Sequence, residues 1–163
     1  MKVALVMGSE SDYPVVERGL KILQEFGVEA EVRVISAHRT PDQAVAYGKK
    51  AAQAGIEVII AAAGKAAHLG GVLAAVSTVP VIGLPIKSST LDGLDSLLSI
   101  VQMPKGVPVA TVAIDGAENA ALLAIQILAL KYDELKSKLT VYRAKMARQV
   151  ERSDAELQQR FVQ

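Results

Sequence analysis

The sequence contains no cysteine and few aromatic residues. Without cysteine the chain forms neither disulfides nor thiolate metal sites, which suits a reducing compartment. Phe, Trp and Tyr make up 4% of the residues, so the hydrophobic fraction of 51% is mainly aliphatic. An aliphatic composition of this kind is typical of strands buried on both faces and of surfaces between subunits.

Excess charge of either sign and long apolar runs are also absent. The net charge of +1 provides no overall field for nucleic acid or acidic lipid, so we expect neither as a partner. The apolar run at residues 3–7 is too short for a membrane span or a signal sequence, and we expect a cytoplasmic protein. With 163 residues, the chain is predicted to form one domain over residues 1–163.

Short β-type runs alternate with segments of helical periodicity along the chain. Strands are predicted at residues 2–7, 29–35, 56–63, 80–84 and 107–114. Helices are predicted at about residues 12–26, 42–53, 94–101, 119–130 and 133–161, and the segment Gly64–Gly71 is predicted to lead into a short helix that ends at Ala75. This alternation predicts right-handed crossovers, a parallel sheet and helices on both of its faces, which is a three-layer α/β fold.

The last predicted helix, at about residues 133–161, is longer than one small domain needs. Its apolar residues form one stripe, which comprises Leu135, Leu139, Tyr142, Met146 and Val150. A solvated terminal helix is one interpretation. We favour a helix that packs on a neighbouring subunit, because an apolar stripe of this length requires a partner.

Polar clusters follow three of the predicted strands. Ligands of open α/β sheets bind outside the carboxyl ends of the strands, so these clusters are the candidate site. The first is Gly8–Asp12, where a glycine and free helix N–H groups suit an anion. The hydroxyls of Ser9 and Ser11 can add hydrogen bonds, and Asp12 can accept from ribose hydroxyls. A simple helix cap is the alternative.

The second cluster is Ser36–Thr40, in front of Pro41 at a predicted helix start. Arg39 offers the forked donor that suits phosphate, and His38 offers an imidazole for proton transfer near neutral pH. The alternative is a loop histidine beside an arginine in a salt bridge. The segment predicts a site for a phosphorylated small molecule together with a general acid/base.

The third cluster, Gly64–Gly71, contains the other histidine, His68. It is not a phosphate-binding P-loop, because Ala66 follows the Gly64-Lys65 pair and the upstream glycine is missing. A dinucleotide-binding glycine fingerprint is also absent. Two histidines in separate loops, without cysteine, make a metal site improbable, and we expect no metal.

The motifs MGSESD, SAHRTPD, AAHL and DSLLSIVQMPKGVPVAT, followed by NAALLA, resemble the PurE family of purine biosynthesis. The resemblance runs from Val3 to about Tyr132, in one order and with near-constant spacing. It implies a flavodoxin-like fold and a homo-octamer that uses no metal or organic cofactor. The expected activity is that of the bacterial mutases, which convert N5-carboxyaminoimidazole ribonucleotide to 4-carboxy-5-aminoimidazole ribonucleotide.

The resemblance also implies roles for individual residues. Ser9 and Asp12 would hold the ribotide, Arg39 its phosphate, and His38 would be the general acid/base at carbon 4. Ser36 would line the same pocket. The floor against the carboxylate or released carbon dioxide would comprise Gly64, Lys65, Ala66, Ala67, His68 and Leu69.

The third cluster departs from the pattern of the mutases, in which Lys65 is usually glycine and Gly70 is usually proline. A basic residue after Gly64 resembles the sister group, which carboxylates aminoimidazole ribonucleotide with free carbon dioxide. Ala66, Ala67 and His68 resemble the mutases. A carboxylase therefore stays open as the first alternative, and a fold relative with a changed substrate as another.

A non-catalytic flavodoxin-like domain that binds a phosphorylated ligand is a further alternative. A receiver domain would need paired acids after strand one and an aspartate after strand three, where this chain has Gly8-Ser9 and Ala63-Gly64. A flavin carrier would need aromatic residues around the ring, and the strand-end loops offer only Tyr13.

Overall fold

The strands and helices follow the alternation that the sequence predicts. A computed structural model describes residues 1–161 of the chain; residues 162–163, the end of the predicted domain, lie outside the described residues. Within residues 1–161 the strands are β1 (Lys2–Met7), β2 (Glu29–Val34), β3 (Val58–Gly64), β4 (Val81–Ile86) and β5 (Ala110–Thr111). The helices are α1 (Tyr13–Phe26), α2 (Pro41–Lys50), α3 (Leu69–Val76), α4 (Leu94–Val101), α5 (Ala117–Leu128) and α6 (Asp133–Gln159).

All five described strands are parallel, in the order β2-β1-β3-β4-β5. The chain moves from β1 to one side of the sheet and then returns to place β3 on the other side. This reversal leaves a crevice above the carboxyl ends of β1 and β3, which is where ligands of such sheets bind. The fold is the three-layer, flavodoxin-like arrangement that was predicted.

Alternate residues of each central strand supply the two cores. In β1, Val3 and Leu5 pack beneath α1 and α5, whereas Ala4 and Val6 face α2 and α3. The side chains of successive strand residues point to opposite faces, so a wholly apolar strand serves both layers at once. Many of the core residues on the face covered by α2 and α3 are alanines. Helix α4 approaches β4 closely at Gly83, where a Cβ atom in place of the glycine hydrogen would collide with Ile100.

The fifth strand is much shorter than the predicted span of residues 107–114. Only Ala110 and Thr111 pair with β4, opposite Ile82 and Gly83. The strand lies at the edge of the sheet, where its backbone has one neighbour, and Pro108 cannot donate a hydrogen bond to a ladder. The apolar pattern overestimated the length of this strand, because the pattern does not show which residues form hydrogen bonds to a neighbouring strand.

The last helix is the 27-residue α6, and it is largely exposed. It buries only Leu135 and is tied to the body by Lys138, whose ammonium donates to the carbonyl of Phe26 at 2.7 Å. Tyr142 packs against the Phe26 ring with 5.6 Å between ring centroids. No helix within residues 1–161 has the length and apolar character that crossing a membrane requires.

Candidate active site

A cavity of about 650 Å³ lies at the carboxyl ends of the strands, where the strand order reverses. The loops after β1, β2, β3 and β4 form its walls. Hydroxyl, guanidinium, ammonium and imidazole groups surround it together with small apolar side chains. The predicted clusters therefore meet at one place, because every parallel strand ends at the same edge of the sheet.

The loop after β1 is a compact hydroxyl-rich turn. Ser9 caps the short turn Glu10–Asp12, and its Oγ accepts from the Ser11 hydroxyl at 2.8 Å. The Ser11 hydroxyl also lies 3.3 Å from a carboxylate oxygen of Asp12. Ser9 thus forms a local cap, which was the alternative interpretation of this segment, and it also lines the cavity.

Asp12 is a half-buried carboxylate at the cavity wall. Burial raises the pKa of its carboxyl above the ordinary value, and the hydrogen bond from Ser11 and the charge of Arg39 oppose this only in part. The carboxylate is held partly out of water and is available to accept from a ligand hydroxyl.

The loop after β2 is closed by its own hydrogen bonds. The Thr40 hydroxyl accepts from the Ser36 N–H at 3.1 Å and donates to the Ser36 carbonyl at 3.0 Å. Thr40 occupies the position before α2, which begins at Pro41 as predicted. The Thr40 side chain makes no capping hydrogen bond to that helix, because its hydroxyl is engaged by Ser36.

Arg39 joins the first two loops. Its guanidinium donates to the Gly8 carbonyl at 2.9 Å and reaches the Ser36 Oγ at 3.4 Å. The side chain is exposed to the cavity, and the planar donor group retains N–H bonds for an anion. This placement fits a phosphate-binding group better than a surface ion pair.

The loop after β3 separates its members into two environments. Gly64, Lys65, Ala66, His68 and Leu69 line the cavity. Ala67 is not part of the cavity lining, and its side chain is 1% exposed and packs in the core. The prediction of Ala67 as a pocket residue is therefore not matched by its placement, since the turn directs this one side chain away from the cavity.

Lys65 adopts a left-handed backbone conformation with φ 57°. Non-glycine residues pay roughly 1–3 kcal/mol for this conformation. A glycine, which the family resemblance implies for the mutases at this position, would adopt this conformation without steric strain. The Lys65 side chain is exposed at the rim of the cavity.

The two histidines of the sequence meet in the cavity. His38 Nε2 lies 2.8 Å from His68 Nδ1, and the rings are nearly perpendicular at 89°. His38 follows β2 and His68 precedes α3, so the contact joins loops 30 residues apart. The sequence placed both histidines at strand ends but contained no signal that their rings touch.

The loop after β4 also contributes to the cavity, and the candidate residues did not include it. Lys87, Ser88 and Ser89 line the wall, and the Lys87 ammonium pairs with Asp92 at 3.1 Å. The sequence did contain a signal for this loop, because its polar residues follow a buried strand, as the three predicted clusters follow theirs. Within residues 1–161 no cluster of three or more His, Cys, Asp or Glu side chains is arranged to hold a metal ion.

The comparisons with known proteins point to one family. The sequence matches the family described as AIR carboxylase over residues 2–149. It is 59% identical to the N5-carboxyaminoimidazole ribonucleotide mutase of Pyrococcus horikoshii, over 96% of this chain and 89% of that protein. It is 56% identical to the mutase of the same name from Thermotoga maritima, over 91% of this chain and 87% of that protein.

The fold is likewise similar to a solved structure. The crystal structure of Treponema denticola PurE superposes with a TM-score of 0.88 at 30% identity. The match covers 96% of this chain and 98% of that one. The likeness therefore includes the strand-end loops and the long last helix as well as the sheet.

Proposed function

The chain belongs to the PurE family, and we infer from this premise that it is an isomerase of purine biosynthesis. It converts N5-carboxyaminoimidazole ribonucleotide to 4-carboxy-5-aminoimidazole ribonucleotide. The observation that carries this function is the high identity, across about nine-tenths of the chain, to mutases of that name. The cavity at the strand ends is the place where we propose that the reaction occurs.

The ribotide is assigned to the wall formed by the first two loops. Arg39 is the phosphate-binding group, because its fork faces the cavity and a charge-assisted hydrogen bond to phosphate is stronger than one to a carbonyl. Ser9 and Ser36 add hydroxyls beside it. Asp12 accepts from the ribose hydroxyls, and Lys87 with Ser88 and Ser89 extends the polar wall from the opposite side.

The carboxylate is assigned to the wall formed by the third loop. Ala63, Gly64 and Ala66 present small apolar groups to the cavity, and the Leu69 side chain adds to this apolar wall. The substrate carbamate loses carbon dioxide readily, so the enzyme must hold that molecule until carbon 4 attacks it. A small apolar wall does this by excluding water and keeping the two fragments in contact.

His38 is the proposed general acid/base. When the bond from the exocyclic nitrogen to the carboxylate breaks, carbon dioxide leaves and the nitrogen takes a proton from His38. Carbon 4 then forms a bond to carbon dioxide and carries both a hydrogen and the new carboxylate. His38 takes that hydrogen as a proton, which restores the aromatic ring, so one imidazole serves both steps and no electrons are exchanged.

An assay of the purified protein tests the reaction and distinguishes it from the alternative carboxylase. The expected result is turnover of N5-carboxyaminoimidazole ribonucleotide at a rate that bicarbonate does not change. Turnover of aminoimidazole ribonucleotide that requires bicarbonate, without turnover of the carbamate, would establish the carboxylase instead. Absence of both activities, with ribotide binding retained, would leave a binding domain.

The His38→Asn variant tests the acid/base assignment. Asparagine keeps a similar size but does not exchange protons near neutral pH, so kcat is expected to fall by about 10²-fold or more. Calorimetric titration should show that the ribotide still binds with little change in affinity. Near-normal turnover would contradict the role of His38.

We also propose that the chain is a single domain that assembles as a homo-octamer in the cytoplasm. Apolar side chains lie exposed on two helices, among them Leu94 and Leu98 on α4 and Val141 and Val150 on α6. Exposed apolar surface on a soluble enzyme is usually covered by partner subunits. The cytoplasm is the compartment that suits a cysteine-free enzyme acting on a phosphorylated intermediate.

A further inference from the structure

The hydrogen bond between the two imidazole rings gives His68 a task that the reaction scheme above does not assign to it. His38 Nε2 and His68 Nδ1 lie 2.8 Å apart, and the ring centroids are separated by 4.9 Å. Each ring nitrogen is either a donor or an acceptor, so a hydrogen bond between them requires one proton shared by the pair. The contact therefore restrains the orientation of the His38 ring and couples its tautomer to that of His68.

His38 needs such a restraint. Its side chain is exposed, and an exposed imidazole rotates among rotamers unless a neighbour holds it. Within residues 1–161, His68 is the group that hydrogen-bonds the His38 ring. A general acid/base must reach two neighbouring substrate atoms in turn, and a misplacement of 1 Å can cost about 10²-fold in rate.

His68 is suited to provide the restraint because its backbone is anchored on both sides. The flanking Ala67 and Leu69 are 1% and 2% exposed and pack in the core. The His68 carbonyl accepts from the Val72 N–H at 3.0 Å, which ties it to the first turn of α3. Burial of Ala67 thus fixes the position from which the His68 ring projects into the cavity.

We propose that His68 is a positioning residue for His38, holding its ring through the Nε2–Nδ1 hydrogen bond in the orientation used for proton transfer. The inference rests on the proposed function, in which His38 exchanges the proton. His68 itself exchanges no proton with the substrate in this scheme. Its removal therefore lowers kcat and leaves the affinity for the ribotide nearly unchanged.

Three substitutions at His68 test the inference. An Asn side chain places an amide atom near the former Nδ1, a Gln side chain places one near the former Nε2, and Leu supplies bulk without a polar atom. Because the contact uses Nδ1, His68→Asn should keep kcat within about 3-fold, whereas His68→Gln and His68→Leu should lose about 10- to 10²-fold. KM for the carbamate substrate should stay within about 3-fold in all three variants.

A double substitution shows whether His68 acts through His38. If it does, His38→Asn/His68→Leu loses no more activity than His38→Asn alone, because the restrained ring is already gone. Circular dichroism and light scattering of each variant confirm that the fold and the assembly are retained.

Two results would overturn the inference: similar kcat values for the Asn, Gln and Leu variants, or losses that multiply in the double variant. The proposed function fails separately, if the native protein does not turn over the carbamate substrate, and the role of His38 fails if His38→Asn keeps near-normal turnover. If His38→Asn is inactive while the His68 variants match the native enzyme, only the role of His68 falls.

Discussion

At the scale of single residues, the site combines groups that are unfavourable in the free protein. Asp12 is a partly desolvated carboxylate, and Lys65 holds a backbone conformation that costs free energy. Both line the cavity, although Leu91, Asp92 and Asp115 adopt the same left-handed conformation outside its lining. Strain and desolvation commonly concentrate where a ligand later compensates them.

Asp12→Asn tests the desolvation of the carboxylate. The raised pKa means that the folded state binds the proton more tightly than the unfolded state, so stability falls as the pH rises from about the ordinary carboxyl pKa of 3.8 through the raised pKa. The ionised group therefore destabilises the native fold at neutral pH. At pH 7 the variant should melt about 1–3 °C higher than the native protein, a modest shift because the group is only half-buried.

Thermal melts followed by circular dichroism between pH 3 and pH 7 measure this effect. The difference between the two proteins should shrink towards pH 3, where the native carboxyl is protonated as well. The same variant should bind the ribotide more weakly. A variant that melts below the native protein at pH 7 would show that Asp12 stabilises the loop instead.

Lys65→Gly and Lys65→Ala separate backbone strain from the effect of the charge. Both variants remove the ammonium, but only glycine adopts the left-handed conformation without a steric cost. Lys65→Gly should therefore be more stable than Lys65→Ala by about 1 kcal/mol. Chemical denaturation monitors this difference, and equal stabilities would argue against strain at residue 65.

The same pair of variants tests whether the Lys65 charge acts on the reaction. With the side chain exposed at the rim, we expect the ratio of activities towards the carbamate and towards free carbon dioxide to stay within about tenfold in both variants. A larger change shared by both would show that the ammonium contacts the migrating carboxylate.

At the scale of elements, close packing against glycine decides how the helices lie on one another and on the sheet. In α1, a Cβ added at Gly19 would stand 2.7 Å from the Ala117 carbonyl oxygen of α5. In α2, a Cβ at Gly48 would stand 2.6 Å from a methyl group of Val76. Because glycine has no side chain, these helices lie closer to their neighbours than any other residue would allow. This close packing fixes the helices and therefore the direction in which the strand-end loops project.

Gly19→Ala should destabilise the protein by about 1–3 kcal/mol, because the obstacle is backbone that cannot move aside. Gly70→Ala is the matched control, since its added Cβ would meet its nearest atoms at an ordinary 3.7 Å. The control should be neutral or stabilised by up to about 1 kcal/mol, through helix propensity. Thermal denaturation compares the two, and equal effects would contradict the packing argument.

At the scale of the whole molecule, two helical surfaces within residues 1–161 expose apolar side chains to solvent. On α4, Leu94, Leu98 and Val101 are 46%, 51% and 45% exposed at spacings that place them on one face. Along α6, only Leu135 is buried, although the helix has 27 residues. This unsatisfied surface is the physical basis of the proposed assembly.

Light scattering should give a particle of about eight times the chain mass of 17.2 kDa. Leu98→Arg should reduce that mass, because a charge introduced into an apolar interface is costly to desolvate. Gln43→Arg, on an exposed polar position of α2, is the control and should leave the mass unchanged. A native protein that elutes as a 17.2 kDa monomer would refute the assembly.

Local patterns in the sequence were enough to predict most of the architecture. The alternation of strands and helices indicated a parallel sheet, and that in turn placed Gly8–Asp12, Ser36–Thr40 and Gly64–Gly71 at one edge. Each of these inferences depends on composition and periodicity over a few residues. Apart from the over-long fifth strand, the elements differ from prediction mainly at their ends.

The tertiary structure decided which of these residues face one another. Ala67 turns into the core while His68 projects into the cavity, and the rings of His38 and His68 meet across 30 positions of sequence. The strained backbone of Lys65 likewise depends on how its turn closes above β3. Side-chain direction and long-range contact arise from the packing of whole elements, and for that reason the local sequence determined the location of the site, whereas the fold determined its geometry.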